Sequence, residues 1–207
     1  MSTTVLPQST PSSDDRRIWT ALALWIAAAL VLAASGVVAS LPRPFVPLLI
    51  WSPVLVSVWT YRRSPALRAF VAALDLRVPV LFHVVRVFFG AAFLVEMAAG
   101  RLPASFARLA GPGDIAAGVL AVPAALLATR SDRTSRALVL GWNTLGLADI
   151  LAVFLMAQRM LFIDGDPRFF QTFQRLPYAA LPVLVVPLVL ITHLVVFVRL
   201  RARALTG

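Results

Sequence analysis

The residues with the clearest capacity for chemistry lie inside a stretch that is apolar enough to cross a membrane. Residues 78–97 supply the roughly 20 mostly apolar positions that a transmembrane helix needs, yet they include His83 and Arg86. An arginine far from the membrane interface costs roughly 2.5–3.5 kcal/mol on insertion scales. We therefore expect its guanidinium to face protein rather than lipid. Gly90 shares the same helical stripe and leaves a gap beside it.

Polar residues also interrupt two other apolar runs. Asn143 and Asp149 lie within residues 137–158, and His193 lies within residues 178–198. Polar side chains inside a membrane span usually turn toward the bundle interior, where they bond with one another. The sequence therefore predicts one buried polar site, with Asp149 or Asn143 as the partner of Arg86. Its members are His83, Arg86, Asn143, Asp149 and His193.

Two further acidic residues are expected in the outer half of the membrane. Glu96 and Asp114 form this predicted acidic layer, with Arg101 as a counter-charge. Asp114 follows a Gly-Pro-Gly sequence at residues 111–113, which is typical of a chain break, so the favoured interpretation is that Asp114 caps a new helix. The alternative for all these polar groups is that they satisfy one another and only fix helix packing.

Composition excludes several classes of protein. With 207 residues, 60% hydrophobic, 14% charged and a mean hydropathy of +0.87, the chain is too apolar for a water-soluble domain. All 19 basic residues are arginines scattered between apolar runs, so no nucleic-acid partner is expected. The absence of cysteine excludes disulfides, thiolate nucleophiles and iron–sulfur ligation. The absence of lysine excludes a Walker A loop and Schiff-base chemistry.

Periodicity predicts an all-α fold, a polytopic membrane bundle of six transmembrane helices with short interfacial helices. The expected organisation is a disordered cytoplasmic tail at residues 1–17, the six-helix domain at 18–198 and a basic cytoplasmic tail at 199–207. The predicted spans are residues 18–41, 45–61, 78–97, 114–128, 137–158 and 178–198. Prolines interrupt residues 45–61, for which a re-entrant segment is the alternative. Surface helices are expected near residues 65–74 and 169–176, and a surface turn near residues 103–110.

Arginine counts on the two faces of a six-span chain favour one orientation. The face with both termini holds Arg16, Arg17, Arg62, Arg63, Arg68, Arg77, Arg130, Arg133, Arg136, Arg199, Arg201 and Arg203. The opposite face holds Arg43, Arg101, Arg108, Arg159, Arg168 and Arg175. Because basic residues are enriched in cytoplasmic loops, this difference predicts that both termini are cytoplasmic.

A pattern of glycine, proline and polar residues extends over roughly residues 79–198. It consists of Arg86, Gly90, residues 100–103, Phe106, residues 110–114, Gly118, Trp142, Asn143, Gly146, Asp149 and a proline-containing last helix with His193. This pattern resembles that of a family of bacterial multi-pass integral membrane proteins with no assigned activity. The resemblance implies a helix bundle in a bacterial plasma (inner) membrane. The first two predicted helices lie outside it.

Three kinds of function fit these features. The first is transport or relay of a proton, an ion or a small solute through the buried His/Arg/Asp site, since intramembrane ionisable groups and proline-broken helices are typical of such proteins. The second is electron transfer by a b-type haem held by His83 and His193, which lie at similar depth on different helices. The third is a non-catalytic role in which the polar residues only specify assembly with another membrane protein or a second copy of the chain.

The remaining expectations concern catalysis and ligands. No His-Glu-x-x-His or Gly-x-Ser-x-Gly sequence is present, so an enzymatic role is not favoured. Apart from haem in the second hypothesis, neither a cofactor nor a metal is expected. The lipid bilayer is the partner common to all three hypotheses.

Overall fold

The computed structural model describes residues 12–206, and every regular element in that part of the chain is helical. Its α-helices are α1 (Ser13–Ala34), α2 (Val37–Ser40), α3 (Phe45–Arg63), α4 (Pro65–Ala73), α5 (Arg77–Phe82), α6 (Val85–Ala98), α7 (Ala104–Leu127), α8 (Arg133–Arg159), α9 (Pro167–Phe173) and α10 (Val186–Thr206). One π-helical turn, Met160–Asp164, directly follows α8, and another, Leu181–Val185, directly precedes α10.

Six stretches of the described residues are long and apolar enough to cross a membrane. They are Ser13–Ala34, Phe45–Arg63, Arg77–Ala98, Ala104–Leu127, Arg133–Asp164 and Leu181–Ala202. The predicted all-α bundle with six transmembrane helices is therefore confirmed, and the chain is a multi-pass membrane protein. The second of these stretches is a full-length helix although Pro53 lies inside it. Short helices α4 and α9 are present near the positions that their apolar stripes predict.

Helix α1 begins earlier than its apolar run suggests. Ser12 accepts a hydrogen bond from the backbone N–H of Asp15, and the Asp15 side chain accepts one from the backbone N–H of Ser12, which forms a capping box. The prediction of a disordered tail at residues 1–17 is therefore wrong for residues 13–17, which are helical, while residues 1–11 lie outside the described part. The helix ends at Ala34, shortly before Gly36 turns the chain with a φ of 75°.

Helix α7 corrects the prediction for the middle of the chain. Residues 111–113 do not break the chain and Asp114 does not cap a helix, because α7 continues without interruption from Ala104 to Leu127. Pro112 gives up one backbone hydrogen bond inside this helix. A complete break would expose further backbone groups to lipid, so a membrane helix tends to continue through a proline, and neighbouring groups can satisfy the backbone atoms that the proline frees. Asp114 consequently lies in the middle of a span.

The third span contains a joint between α5 and α6. The backbone N–H groups of His83 and Val84 bond to carbonyls three residues earlier rather than four, and those of Arg86 and Val87 do the same. Such tightening to a 3₁₀ pattern is often found where a helix changes direction. His83 and Arg86 therefore lie at this joint, inside the bundle.

Helix α7 lies between α6 and α8, whereas α10 packs on α8, α3 and α5. The close contact of α6 with α7 depends on glycine, since a Cβ on Gly90 would stand 2.6 Å from the carbonyl oxygen of Gly111. Small residues commonly permit such approach between membrane helices. Helices α1 and α3 complete the bundle at its edge and leave much of their apolar surface exposed.

Candidate functional site

Arg86 is the centre of the polar site. Its side chain is 2% exposed, and each of its guanidinium nitrogens binds an acceptor on another helix. The Nε donates to Asp114 Oδ1 of α7 at 2.7 Å and the Nη1 to the carbonyl oxygen of Gly146 of α8 at 3.0 Å. The Nη2 donates to Asp149 Oδ2, also of α8. The predicted pair of Arg86 with Asp149 is present, and Asp114 adds a second carboxylate.

This ion cluster carries more negative than positive groups. One guanidinium faces two carboxylates, so the three side chains have a net charge of −1 when both aspartates are ionised. Asp114 is 4% exposed, whereas the Asp149 side chain is 25% exposed. Because an uncompensated charge in a low-dielectric interior is costly, the cluster favours binding of one additional positive charge, such as a proton.

Glycine makes room for the Asp149 side chain. A Cβ on Gly113 would stand only 1.9 Å from Asp149 Oδ1, so any other residue would displace that carboxylate. Gly113 is thus a positioning residue, located directly before Asp114 on α7. It allows carboxylates from two helices to reach one guanidinium.

His193 is held by a pair of hydrogen bonds to Asn143. The Asn143 amide nitrogen donates to the His193 backbone carbonyl at 3.2 Å, which fixes the orientation of the amide. Its Oδ1 lies 2.8 Å from His193 Nδ1. Since an amide oxygen only accepts, Nδ1 carries the proton and Nε2 retains a lone pair.

His83 is held by the neighbour of His193. The Thr192 hydroxyl donates to the Leu188 carbonyl at 2.8 Å, so its oxygen can accept the proton of His83 Nε2, which is 3.1 Å away. His83 Nδ1 is then a bare acceptor. Both remaining nitrogens, His83 Nδ1 and His193 Nε2, are buried and have no hydrogen-bond partner among the described residues. With these tautomers the site contains two buried imidazole lone pairs.

Gly146 connects the histidines to the ion cluster. A Cβ at this position would stand 3.0 Å from His193 Cε1, 3.5 Å from His193 Nε2 and 3.6 Å from Arg86 Nη1. The imidazole and the guanidinium therefore share the space that a side chain on Gly146 would fill. The polar residues of α6, α7, α8, α10 and the joint before α6 form one continuous group.

An aromatic cavity of about 140 Å³ reaches this group from the side of the bundle where α9 lies. Six phenylalanines line it, namely Phe93, Phe106, Phe154, Phe169, Phe170 and Phe173. Among the described residues that line it, Asp114 is the only carboxylate and Arg43 is the only cation. Arg43 lies before the start of α3, where its guanidinium is 4.3 Å from the centre of the Phe170 ring. The cavity thus extends from the helix ends to a carboxylate of the ion cluster.

The opposite side of the histidines is closed by apolar side chains. Val80, Val139 and Val196 are completely buried, one each on α5, α8 and α10. They belong to an apolar cluster that also includes Leu76 and Leu200. The polar group is therefore open toward the cavity and sealed on the side of the chain ends.

The structure divides the predicted acidic layer. Asp114 joins Arg86, whereas Glu96 belongs to a separate cluster at the end of α6, where its Oε2 accepts from Arg101 at 2.6 Å and from Arg175 at 3.2 Å. Tyr178 donates to Glu96 Oε1, and burial together with this carboxylate raises the pKa of Tyr178. Glu96 therefore connects Arg101, Arg175 and Tyr178 through hydrogen bonds and is not part of the Arg86 site.

Sequence reasoning identified His83, Arg86, Asn143, Asp149 and His193, and the structure brings all five together. It missed Gly113 and Thr192, whose signals are slight: a glycine beside an intramembrane aspartate, and a hydroxyl beside an intramembrane histidine. It also treated the stripe of Phe169 and Phe173 as part of a surface helix, whereas both rings line the cavity. The roles of these residues depend on which helices pack against each other, which a sequence pattern does not show.

The haem hypothesis requires space for a porphyrin between His83 and His193. Their ring centroids are 4.2 Å apart with an angle of 49° between the planes, so the imidazoles contact each other directly. Both side chains are completely buried. The site as folded therefore does not fit a haem ligated by both residues.

Comparison with known families places the chain among proteins without an assigned activity. Residues 43–201 match the family described as Domain of unknown function (DUF8737). The chain belongs to this family. The match begins at residue 43 and thus includes the second span, which corrects the expectation that the first two helices lie outside the related region. No curated protein and no solved structure matches the chain.

The role of Gly113 can be tested by adding one methyl group. Gly113→Ala should lower the free energy of unfolding in detergent by about 1–3 kcal/mol, as expected for overpacking, because the new Cβ displaces Asp149 from Arg86. In an Asp149→Ala background most of this loss should disappear, since the colliding oxygen is gone.

Gly141→Ala is a matched control, because a Cβ on this exposed glycine of α8 would meet no atom within 4 Å. It should be neutral or slightly stabilising. An equal loss for Gly113→Ala with and without Asp149 would show that the collision does not matter.

Proposed function

We propose that this protein relays protons across a membrane through the cluster of Arg86, Asp114, Asp149, His83 and His193. The observation that carries the proposal is the composition of the cluster: two carboxylates and two neutral imidazoles surround a single guanidinium. One added proton brings the net charge of this buried group from −1 to zero. Intramembrane ionisable groups commonly mark proton routes.

The cluster offers proton acceptors on both sides of Arg86, so a bound proton can move from one side to the other. Asp114 and Asp149 can hold it on one side of Arg86, while His193 Nε2 and His83 Nδ1 offer lone pairs on the other side. Neither nitrogen is engaged by another described residue, so protonation of an imidazole breaks none of the hydrogen bonds described above. The charge of the whole cluster is the same for either location.

Access to the two sides of the membrane is unequal. The aromatic cavity leads to Asp114, while Val80, Val139 and Val196 close the other end. Passage of a proton therefore requires this apolar seal to open transiently. Leu181–Val185 and Pro187 make the start of α10 irregular at the cavity end of this helix. This segment is a suitable hinge, about which the rest of α10 could carry Val196 away from the seal.

We further propose that the protein resides in the inner membrane of a bacterium with both termini in the cytoplasm. The arginines on the face of the chain ends outnumber those on the opposite face by twelve to six, which supports this orientation through the positive-inside rule. A periplasm-dependent phosphatase should be inactive when fused at Gly207 and active when inserted near Gly165. The reverse pattern would contradict the orientation.

Proton relay can be tested with the full chain in liposomes that contain a pH-sensitive dye. Under a potassium diffusion potential, wild-type vesicles should acidify faster than empty ones. Asp114→Asn and His193→Gln should each reduce the rate about tenfold or more, because each removes a proton acceptor of the cluster. Glu96→Gln is the matched control, since this carboxyl group belongs to the separate cluster.

Each variant is compared only if it is monodisperse and as helical as the wild type. A wild-type rate equal to that of empty vesicles would contradict the proposal. So would an undiminished rate in both Asp114→Asn and His193→Gln.

A further inference from the structure

We propose that the aromatic cavity is a binding site for a small organic amine, whose ammonium group pairs with Asp114. The inference rests on the proposed function, because the amine and the relayed proton would neutralise the same negative charge. It goes beyond that function by naming a ligand class and the place where the ligand binds.

The polar end of the cavity is a buried carboxylate with free capacity. Asp114 is 4% exposed and lines the cavity. Its Oδ1 accepts from Arg86, whereas its Oδ2 makes no hydrogen bond to any described residue. Since an ionised carboxylate only accepts, a ligand at this oxygen must donate a hydrogen bond.

The charge of the surroundings favours a cation over a neutral donor. The ionisable groups around Asp114 are Arg86 and Asp149, with His83 and His193 beyond the guanidinium. With neutral histidines this set has a net charge of −1, which an ammonium group neutralises. Arg43 is far along the cavity, where it stacks on Phe170 and donates to the Leu161 carbonyl.

The remainder of the cavity fits the apolar, hydrocarbon part of a ligand. Phe93, Phe106, Phe154 and Phe169 are among its lining side chains, and its volume is about 140 Å³. A cavity of roughly this size lined by apolar residues can hold one benzene ring. Aromatic faces also attract ammonium groups. The fitting ligand is therefore a primary amine on a single ring or a short hydrocarbon chain.

Benzylamine and its uncharged analogue benzyl alcohol provide the test. Calorimetric titration of the detergent-solubilised full chain should show benzylamine binding at least about tenfold more tightly than benzyl alcohol, as a charge-assisted hydrogen bond implies. Asp114→Asn should abolish this preference, while Glu96→Gln should preserve it. Ala157→Phe, which fills the cavity and leaves every charge in place, should reduce benzylamine affinity by about tenfold or more.

Proton release separates this proposal from proton relay. Titrations in two buffers of different ionisation enthalpy count the protons released, and one proton per bound amine is expected. Benzylamine binding without proton release would support the amine site and contradict a proton shared by the cluster. Proton flux in liposomes together with no preference for benzylamine, or binding unaffected by Ala157→Phe, would overturn the amine site and leave the relay intact.

Discussion

A guanidinium buried in the middle of a membrane has to be matched by negative charge, and much of this structure follows from that requirement. A guanidinium keeps its positive charge inside proteins, and the side chain of Arg86 is almost completely buried. Its matching carboxylates come from α7 and α8, so three consecutive spans are tied to one side chain. Separating these helices would leave an unpaired charge in lipid, which is a far larger cost than the loss of an exposed ion pair.

Close packing around the arginine depends on residues without side chains. Gly90 lets α6 approach α7, Gly113 admits Asp149, and Gly146 lets His193 lie next to the guanidinium. Their absent side chains leave the space in which polar groups meet. The shortage of partners also affects the histidines. Asn143 and Thr192 each bond to one imidazole nitrogen, so each histidine keeps one nitrogen that has no hydrogen-bond partner among the described residues.

The sequence predicts the fold class and most of the polar residues, because lipid imposes simple rules on both. Length and hydropathy define the spans, and the cost of burying Arg86 or Asp149 identifies them as residues that need partners. The location of Asp114 could not be predicted in this way. A Gly-Pro-Gly sequence typically ends a helix in a water-soluble protein, whereas the membrane helix α7 continues through it. The aromatic cavity could not be predicted either, because its phenylalanines come from four helices, α6 to α9, whose mutual packing cannot be read from the sequence.

A mutant cycle on the ion cluster tests the central claim, that Arg86 is matched by Asp114 and Asp149 together. The free energy of unfolding in detergent would be measured for Arg86→Leu, for the two aspartate-to-leucine variants and for the triple variant. Arg86→Leu should cost about 3–5 kcal/mol because it strands buried carboxylates, and the triple variant should be clearly more stable than Arg86→Leu alone. If the three losses simply add, the side chains do not form the ion cluster and the account is wrong.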